Sequence, residues 1–157
     1  MDKSAMTQAM KVSISEVLEQ MFFMPIDFMK PEQVGADPQH DNGSIFAKLG
    51  FNGIPNGTFI LQMSVTQAQS VSADFLGTHL ENLSDDQVTG TVLEMVNMLA
   101  GSTLSHYDRQ ALYDLHLPER ITCSDARDFV GKGSDLIVIR IQTLENRMMF
   151  QLIVQEA

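Results

Sequence analysis

The chain has 157 residues, of which 44% are hydrophobic and 19% are charged, as in an ordinary folded domain. Its formal net charge of −10 excludes nucleic acid as an expected partner, because phosphate backbones are bound by basic surfaces. No cluster of Lys and Arg that would attract an anionic membrane is present. We expect a single domain, residues 1–157, with a core large enough to fold without disulfides or metal.

The cellular compartment of the protein is predicted from the cysteine count and from the first residues of the chain. The one cysteine, Cys123, has no second cysteine with which to form an internal disulfide, which fits a reducing environment. The polar first residues lack the apolar centre of a signal peptide, and no apolar stretch is long enough to span a bilayer. We therefore expect a cytoplasmic protein in which Cys123 is a buried thiol on a short strand.

Three helices are predicted from capping boxes, in which a hydroxyl residue is followed three positions later by Glu or Gln. The three boxes are Ser13 with Glu16, Thr66 with Gln69, and Ser84 with Gln87. Each box opens a stretch whose apolar residues recur at helical spacing. The first helix is predicted to end near Pro25 and the second at Gly77. The third is predicted to run over about 85–106, a length of roughly 33 Å.

Two hairpins are predicted from the alternation of apolar and polar residues. The first joins 45–51 to 59–65 across the connector 52–57, which contains two Asn-Gly pairs. The second joins 136–143 to 148–155 across a four-residue turn.

The remaining stretches are predicted to be short strands or loops. Short strands are expected at 26–29 and 120–123, and loops are expected at 30–43 and 124–135, which are rich in Gly, Asp, Pro and Lys. The order of helix, loop, short strand and hairpin thus occurs twice along the chain.

The repeated order predicts an α+β domain with an internal duplication of about 13–65 and 84–155. Two related halves, each a helix with an antiparallel hairpin, are expected to form one sheet on which the long helices pack. The first and third helices are predicted to contact each other.

A short identity between the first and third helices supports this duplication. Residues 17–22 can be laid on residues 92–97 without a gap, which places Glu19 on Glu94 and Phe22 on Asn97. Because three identical positions are few, two unrelated amphipathic helices remain the alternative.

One face of the third helix is polar, and we call this set of residues the polar stripe. Its members advance by four, three, four and four residues and are Gly90, Glu94, Asn97, Gly101 and Ser105. Burial of Glu94 and Asn97 without partners would cost several kcal/mol, so we expect this face to meet water or a partner. The alternative is an ordinary solvated surface on which the acid and the amide have no function.

The two glycines of the polar stripe also permit two interpretations. A glycine inside a helix costs about 1 kcal/mol relative to alanine, so its presence calls for a reason. Gly90 and Gly101 either permit a tight crossing with another helix of the chain or allow a partner to approach closely.

Residues 93–101, Leu-Glu-Met-Val-Asn-Met-Leu-Ala-Gly, resemble the signature of the CheC/CheX/FliY phosphatases of bacterial chemotaxis. In that family a Glu-x-x-Asn motif on a long helix is followed by a methionine and a glycine. The resemblance extends over nearly the whole chain through the repeated order of elements, and it implies a CheC-like fold. It is nearest to the CheX branch, which keeps one working motif, and Phe22 in the first half agrees with that branch.

The resemblance implies a phosphatase that hydrolyses the aspartyl phosphate of a CheY-like receiver domain. The protein would have no cofactor of its own, because the receiver carries the Mg²⁺. Asn97 would orient the attacking water, as a glutamine does in GTPases, and Glu94 would reach the receiver's lysine. Gly90, Met98 and Gly101 are expected to contact the partner. The four histidines have no metal-ligand spacing, so no metal site is predicted.

The resemblance also implies a homodimer formed through sheet edges. The C-terminal strand 148–155 is the candidate edge, because it is apolar and no further element follows it. Two other functions remain open. Gly90 occupies a position where the family usually has Asp or Ser, which favours an adaptor that binds receivers without hydrolysing them. The second open function is a structural oligomerisation module, in which Glu94 and Asn97 have no role.

Overall fold

One antiparallel sheet forms the centre of the molecule in the computed structural model, which describes residues 1–30, 32 and 43–155. Within these residues the strands are β1 Asp27–Phe28, β2 Ser44–Asn52, β3 Asn56–Ser64, β4 Asp114–Leu115, β5 Glu119–Ile121, β6 Asp135–Gln142 and β7 Arg147–Gln155. Their order in the sheet is β1-β6-β7-β3-β2-β4, and β5 also pairs with β2. Every pairing is antiparallel.

Helices cover both faces of this sheet unequally. The helices of the described part are α1 Lys3–Ile14, α2 Val65–Leu76, α3 Asp85–Tyr107 and α4 Cys123–Lys132. A π-helical segment, Ser15–Met21, continues α1, and a single 3₁₀ turn, Leu80–Asn82, precedes α3. The main core lies between α1, α2, α3 and one sheet face, whereas α4 covers a smaller apolar cluster on the other face. The predicted α+β architecture and the contact between the first and third helices are confirmed.

The first helix begins earlier than the capping box at Ser13 predicts. Asp2 is its N-cap, and the Asp2 carboxylate accepts a hydrogen bond from the backbone N–H of Ala5. Ser13 instead lies buried inside the helix, and its Oγ has no hydrogen-bond partner among the described residues. The prediction was wrong because the apolar face continues upstream of Ser13. That face includes Met6, Met10 and Ile14, all fully buried.

The other two predicted helices are found close to their predicted bounds. In α2 the N-cap is Ser64, two residues before the predicted one, and the helix ends at Gly77 in a left-handed conformation with φ 64°. The capping box between Ser84 and Gln87 is present with both of its hydrogen bonds. The long helix α3 is therefore confirmed almost to the residue.

Both predicted hairpins are confirmed. In the first, Leu49 lies opposite Phe59, and in the second, Ile139 lies opposite Phe150. The two hairpins meet along β3 and β7, where the rings of Phe59 and Phe150 stack with centroids 5.2 Å apart. The predicted short strands are also found, as β1 and β5, whereas β4 was not predicted. The proposed duplication of the two halves stays a prediction.

The predicted loop at 124–135 is wrong, because most of it forms α4. The Thr122 hydroxyl and the Asp125 carboxylate form a capping box, but with Asp in place of Glu or Gln. Cys123 is the first residue of this helix and is half-buried, so its placement on a strand was also wrong. Most of the other predicted loop, 30–43, lies outside the described residues.

The C-terminal strand is not an edge of the sheet. Strand β7 pairs with β6 on one side and with β3 on the other along nearly its whole length. The prediction failed because the last position in the chain says nothing about the lateral order of strands. In the described part of the chain, the side of the sheet beyond β2 is occupied by the short strands β4 and β5. None of the described helices is both long and apolar enough to cross a bilayer.

Candidate functional site

Helix α3 presents its apolar side to the core and its polar stripe to the outside. The buried residues of this helix are Val88, Thr91, Val92, Met95, Val96, Leu99, Ala100, Thr103 and Leu104. They contact α1, α2 and the strands β2 and β3. Burial of one whole side against several elements keeps the 23-residue helix in a fixed position relative to the sheet.

Glu94 and Asn97 lie side by side on the exposed face of this helix. Both side chains are exposed to solvent, and positions three apart lie within one helical turn, about 4.5 Å along the axis. Neither side chain has a hydrogen bond or an ion pair with any described residue. Among the described residues nothing encloses the carboxylate and the amide, and their exposure agrees with the prediction.

The two glycines of the polar stripe do not mark a helix crossing. Apart from its own helix neighbours, a Cβ atom added at Gly90 or at Gly101 meets no atom of the described residues within 4 Å. Gly90 is exposed and Gly101 is half-exposed. The alternative in which the glycines allow two helices of this chain to pack tightly is therefore wrong. What they produce is a low, open surface on both sides of Glu94 and Asn97.

The other members of the predicted site differ in their exposure. Ser105 is exposed and extends the polar stripe towards the end of the helix. Met98 is half-buried and packs against the main core. Only part of the Met98 side chain therefore remains for contact with a partner.

Both ends of α3 are tied to other elements by polar contacts. His106 Nε2 lies 2.9 Å from Glu16 Oε2 on the π-helical segment. Near the other end, Arg120 Nη1 on β5 donates a hydrogen bond of 3.0 Å to Thr89 Oγ1. Sequence analysis missed this arginine, because strand pairing and not local spacing brings it next to Thr89. Arg120 therefore places a cation beside Thr89, the residue that precedes Gly90 of the polar stripe.

The first half of the chain differs from the second at the position that the sequence overlay pairs with Asn97. Glu19 is exposed, as Glu94 is, but Phe22 is buried with 3% of its surface exposed. The Phe22 ring stacks on Phe75 of α2 with centroids 4.8 Å apart. Three residues after Glu19 the first half therefore has a buried aromatic ring, where the second half has the exposed amide of Asn97. Within the described residues no group of His, Cys, Asp and Glu side chains is arranged to hold a metal ion.

Comparison with known proteins identifies the family of this chain. The model of the family described as "Chemotaxis phosphatase CheX" matches residues 45–142, more than half of the chain, and this segment includes Glu94 and Asn97. No curated protein matches the chain.

Several solved structures share the fold over almost their whole length. A chain of the CheX–CheY–BeF3–Mg²⁺ complex from Borrelia burgdorferi is 20% identical with a TM-score of 0.74, covering 95% of this chain and 97% of that one. The CheC-like superfamily protein from Shewanella sp. PV-4 is 19% identical with a TM-score of 0.72, covering 99% of both chains. Chemotaxis protein CheX from Vibrio vulnificus is 17% identical with a TM-score of 0.70, covering 96% of both chains. The CheC-like fold and the family match lead to one conclusion: this chain belongs to the CheX family of chemotaxis phosphatases.

Proposed function

We propose that this protein hydrolyses the aspartyl phosphate of a CheY-like receiver domain, with Glu94 and Asn97 as the residues that act on it. The observation that carries the proposal is the exposure of this unpartnered carboxylate and amide on a fixed helix. The fold is also similar to a chain crystallised in a complex of CheX with CheY, BeF3 and Mg²⁺. A receiver substrate places the reaction in the cytoplasm.

Asn97 holds the attacking water in this mechanism. Its carboxamide oxygen accepts a hydrogen bond from the water and its NH₂ group donates one, without permanent transfer of a proton. The water oxygen forms a new bond to phosphorus as the bond between phosphorus and the receiver's carboxylate oxygen breaks. The electron pair of that bond stays on the carboxylate, and the water's proton leaves with inorganic phosphate or to solvent. The amide contributes by position, as the water-orienting glutamine does in GTPases.

Glu94 contributes by binding and not by chemistry. An ionised carboxylate only accepts hydrogen bonds, so its natural partner is the ammonium group of the receiver's lysine beside the phosphate. An acid at position 97 would repel the phosphoryl group, whereas the neutral amide of Asn97 does not. This division of roles explains why the motif is Glu-x-x-Asn. Mg²⁺ belongs to the receiver, and no cofactor of this protein takes part.

The proposal is tested with a receiver domain phosphorylated by a small acyl phosphate in the presence of Mg²⁺. We expect catalytic amounts of this protein to accelerate the release of inorganic phosphate above the receiver's own rate. Binding of the phosphorylated receiver without any acceleration would support the adaptor instead. That alternative is favoured by one observation, the exposed Gly90, which offers no side chain where the family usually has Asp or Ser.

Replacement of Gly90 by alanine tests whether this glycine serves the stability of the fold or the binding of the receiver. The added Cβ meets nothing within 4 Å, so the variant is expected to raise the free energy of unfolding by about 0.5–1 kcal/mol in chemical denaturation. The same methyl group stands on the proposed docking surface, so receiver affinity is expected to fall about threefold or more. Gly131→Ala on α4, where the added Cβ also meets nothing, is the matched control for binding. Equal receiver affinity for wild type and Gly90→Ala would place Gly90 outside the interface.

We further propose a homodimer through the side of the sheet formed by β4 and β5. These strands pair only with β2 in the described part of the chain, so their outer edges offer unpaired backbone groups. Three leucines surround this edge, Leu112, Leu115 and Leu117, of which the first and last are 95% and 85% exposed. Exposed leucines beside an open sheet edge would promote aggregation of a monomer, whereas in a dimer they would form the contact surface.

Introduction of charge at this edge is expected to dissociate the dimer. The double variant Leu112→Lys/Leu117→Lys should weaken self-association at least about tenfold in sedimentation equilibrium, because two apolar contacts are replaced by like charges. Leu144→Lys, a change of an equally exposed leucine in the β6–β7 turn, is the control and should leave the association unchanged. A wild-type protein that remains monomeric at high concentration would contradict the dimer.

A further inference from the structure

Phe23 combines an unfavourable backbone conformation with an exposed aromatic ring. Its φ of 54° lies in the left-handed region, which bulky L residues rarely adopt, and 80% of its surface is exposed. The residue follows the π-helical segment, whose end is closed by a 2.8 Å hydrogen bond from Met24 N–H to the Leu18 carbonyl oxygen. Glycine is the usual residue at such a helix end. Because the ring buries little surface, folding by itself would favour glycine at position 23.

The Phe23 side chain stands at the rim of a groove, which we call the Phe23 groove. It lies between the end of the π-helical segment, α2, the 3₁₀ turn and the β6–β7 turn, and its volume is about 460 Å³. Met24 and Val71 form part of its apolar wall. Three large apolar side chains at its border are exposed: Phe23, Leu80 and Leu144 at 80%, 58% and 84%. Three exposed apolar side chains around one groove are a feature that marks binding sites.

The charges at the Phe23 groove are all of one sign. Asp74 and Glu145 line it and are exposed, and neither forms an ion pair with a described residue. The described lining contains no Lys, Arg or His. Two unpaired carboxylates in a protein of net charge −10 favour a cationic occupant and disfavour an anionic one.

The openness of this groove favours a peptide over a small molecule. Phe23 and Leu144 project into solvent, so a small ligand between them would leave most of both side chains uncovered. A helical segment with an apolar face would cover Phe23, Leu80 and Leu144 together, and basic residues beside that face would reach Asp74 and Glu145. We infer that the Phe23 groove binds an amphipathic, basic segment of a partner protein. None of its lining residues belongs to the polar stripe, so this site is separate from the proposed phosphatase site.

The probe for this site is a fluorescein-labelled 14-residue peptide of Leu and Lys whose leucines lie on one helical face. A peptide of the same composition with its leucines spread around the helix is the control ligand. Fluorescence anisotropy should show tighter binding of the amphipathic peptide. Phe23→Gly and Leu144→Ser should each weaken that binding about tenfold or more, because each removes a large apolar contact. Ile54→Ser, a change of an equally exposed residue outside the groove, should not alter it.

Three further measurements separate this site from a structural role, from electrostatic attraction alone and from the proposed phosphatase site. The thermal midpoint of Phe23→Gly should equal or exceed that of wild type, since glycine relieves the left-handed conformation. The Asp74→Asn/Glu145→Gln variant should bind about fivefold more weakly and lose most of the salt dependence of binding. Dephosphorylation of the receiver should be unchanged in Phe23→Gly.

Four results would overturn the inference. Equal binding of the two peptides would show attraction by net charge only. Unchanged binding by both Phe23→Gly and Leu144→Ser would remove the Phe23 groove as the binding site. A clear fall in the thermal midpoint of Phe23→Gly would mean that the ring stabilises the fold. Dissociation of a wild-type dimer by Phe23→Gly would assign the groove to a second copy of this chain.

Discussion

Asn97→Ala is expected to lower the rate of receiver dephosphorylation by about 100-fold while leaving receiver affinity within about twofold. The loss follows from position, because an unheld water rarely adopts the in-line geometry that hydrolysis requires. The Asn97 side chain has no partner among the described residues, so its removal should change stability by no more than about 0.5 kcal/mol. Phosphate release at saturating receiver measures the first effect, and thermal unfolding measures the second.

Two control variants make this result specific to the amide. Asn82→Ala removes another exposed asparagine, in the 3₁₀ turn before α3, and should leave turnover unchanged. Asn97→Asp keeps the shape but adds a negative charge, so it should be as inactive as Asn97→Ala. If Asn97→Ala retained normal turnover, the amide would not position the water and the proposed mechanism would be lost.

Glu94→Ala is expected to weaken binding of the phosphorylated receiver about tenfold or more. A hydrogen bond between charged groups contributes about 1.5–3 kcal/mol, which corresponds to a factor of ten or more in affinity. The affinity of wild type should also fall with added salt more steeply than that of Glu94→Ala, because salt screens an exposed ion pair. Titration of the receiver at two salt concentrations measures both effects.

The first half of the chain supplies the matched control for Glu94. Glu19 is an exposed glutamate at the corresponding position of the proposed duplication, but buried Phe22 stands where the second half has Asn97. Glu19→Ala should therefore leave both affinity and turnover unchanged. Equal losses in Glu19→Ala and Glu94→Ala would mean that overall negative charge, and not the motif, attracts the receiver.

The elements that sequence analysis predicted well are those with a strong local pattern. The hairpin of β6 and β7 follows from the alternation of apolar and polar residues along both strands. The short turn between the strands then sets the register in which they pair. Helix α3 follows from a complete capping box and a long apolar face. The exposure of Glu94 and Asn97 follows from the same periodicity, since the apolar side of that helix has to be the buried one.

The elements that it missed depend on weak or ambiguous local signals. Ser13 and Glu16 match a capping box, but they lie within α1 and the π-helical segment that continues it. Residues of a capping box also occur by chance where no helix begins, so the box alone was a misleading signal. In α4, Asp125 takes the place of Glu or Gln, and few apolar residues mark the buried side. The groove at Phe23 has no signal in the sequence, because a left-handed φ at a phenylalanine is not expected from its residue type.

By itself the sequence determined which residues form the central hairpins and the long helix, and which side of that helix carries the acid and the amide. Those properties depend on neighbours within a few residues. Only the tertiary structure decided that β7 lies in the middle of the sheet, that Arg120 reaches Thr89, and that Phe22 stacks on Phe75. These contacts join residues far apart in the chain, and their selection depends on how all the elements bury their apolar surfaces together.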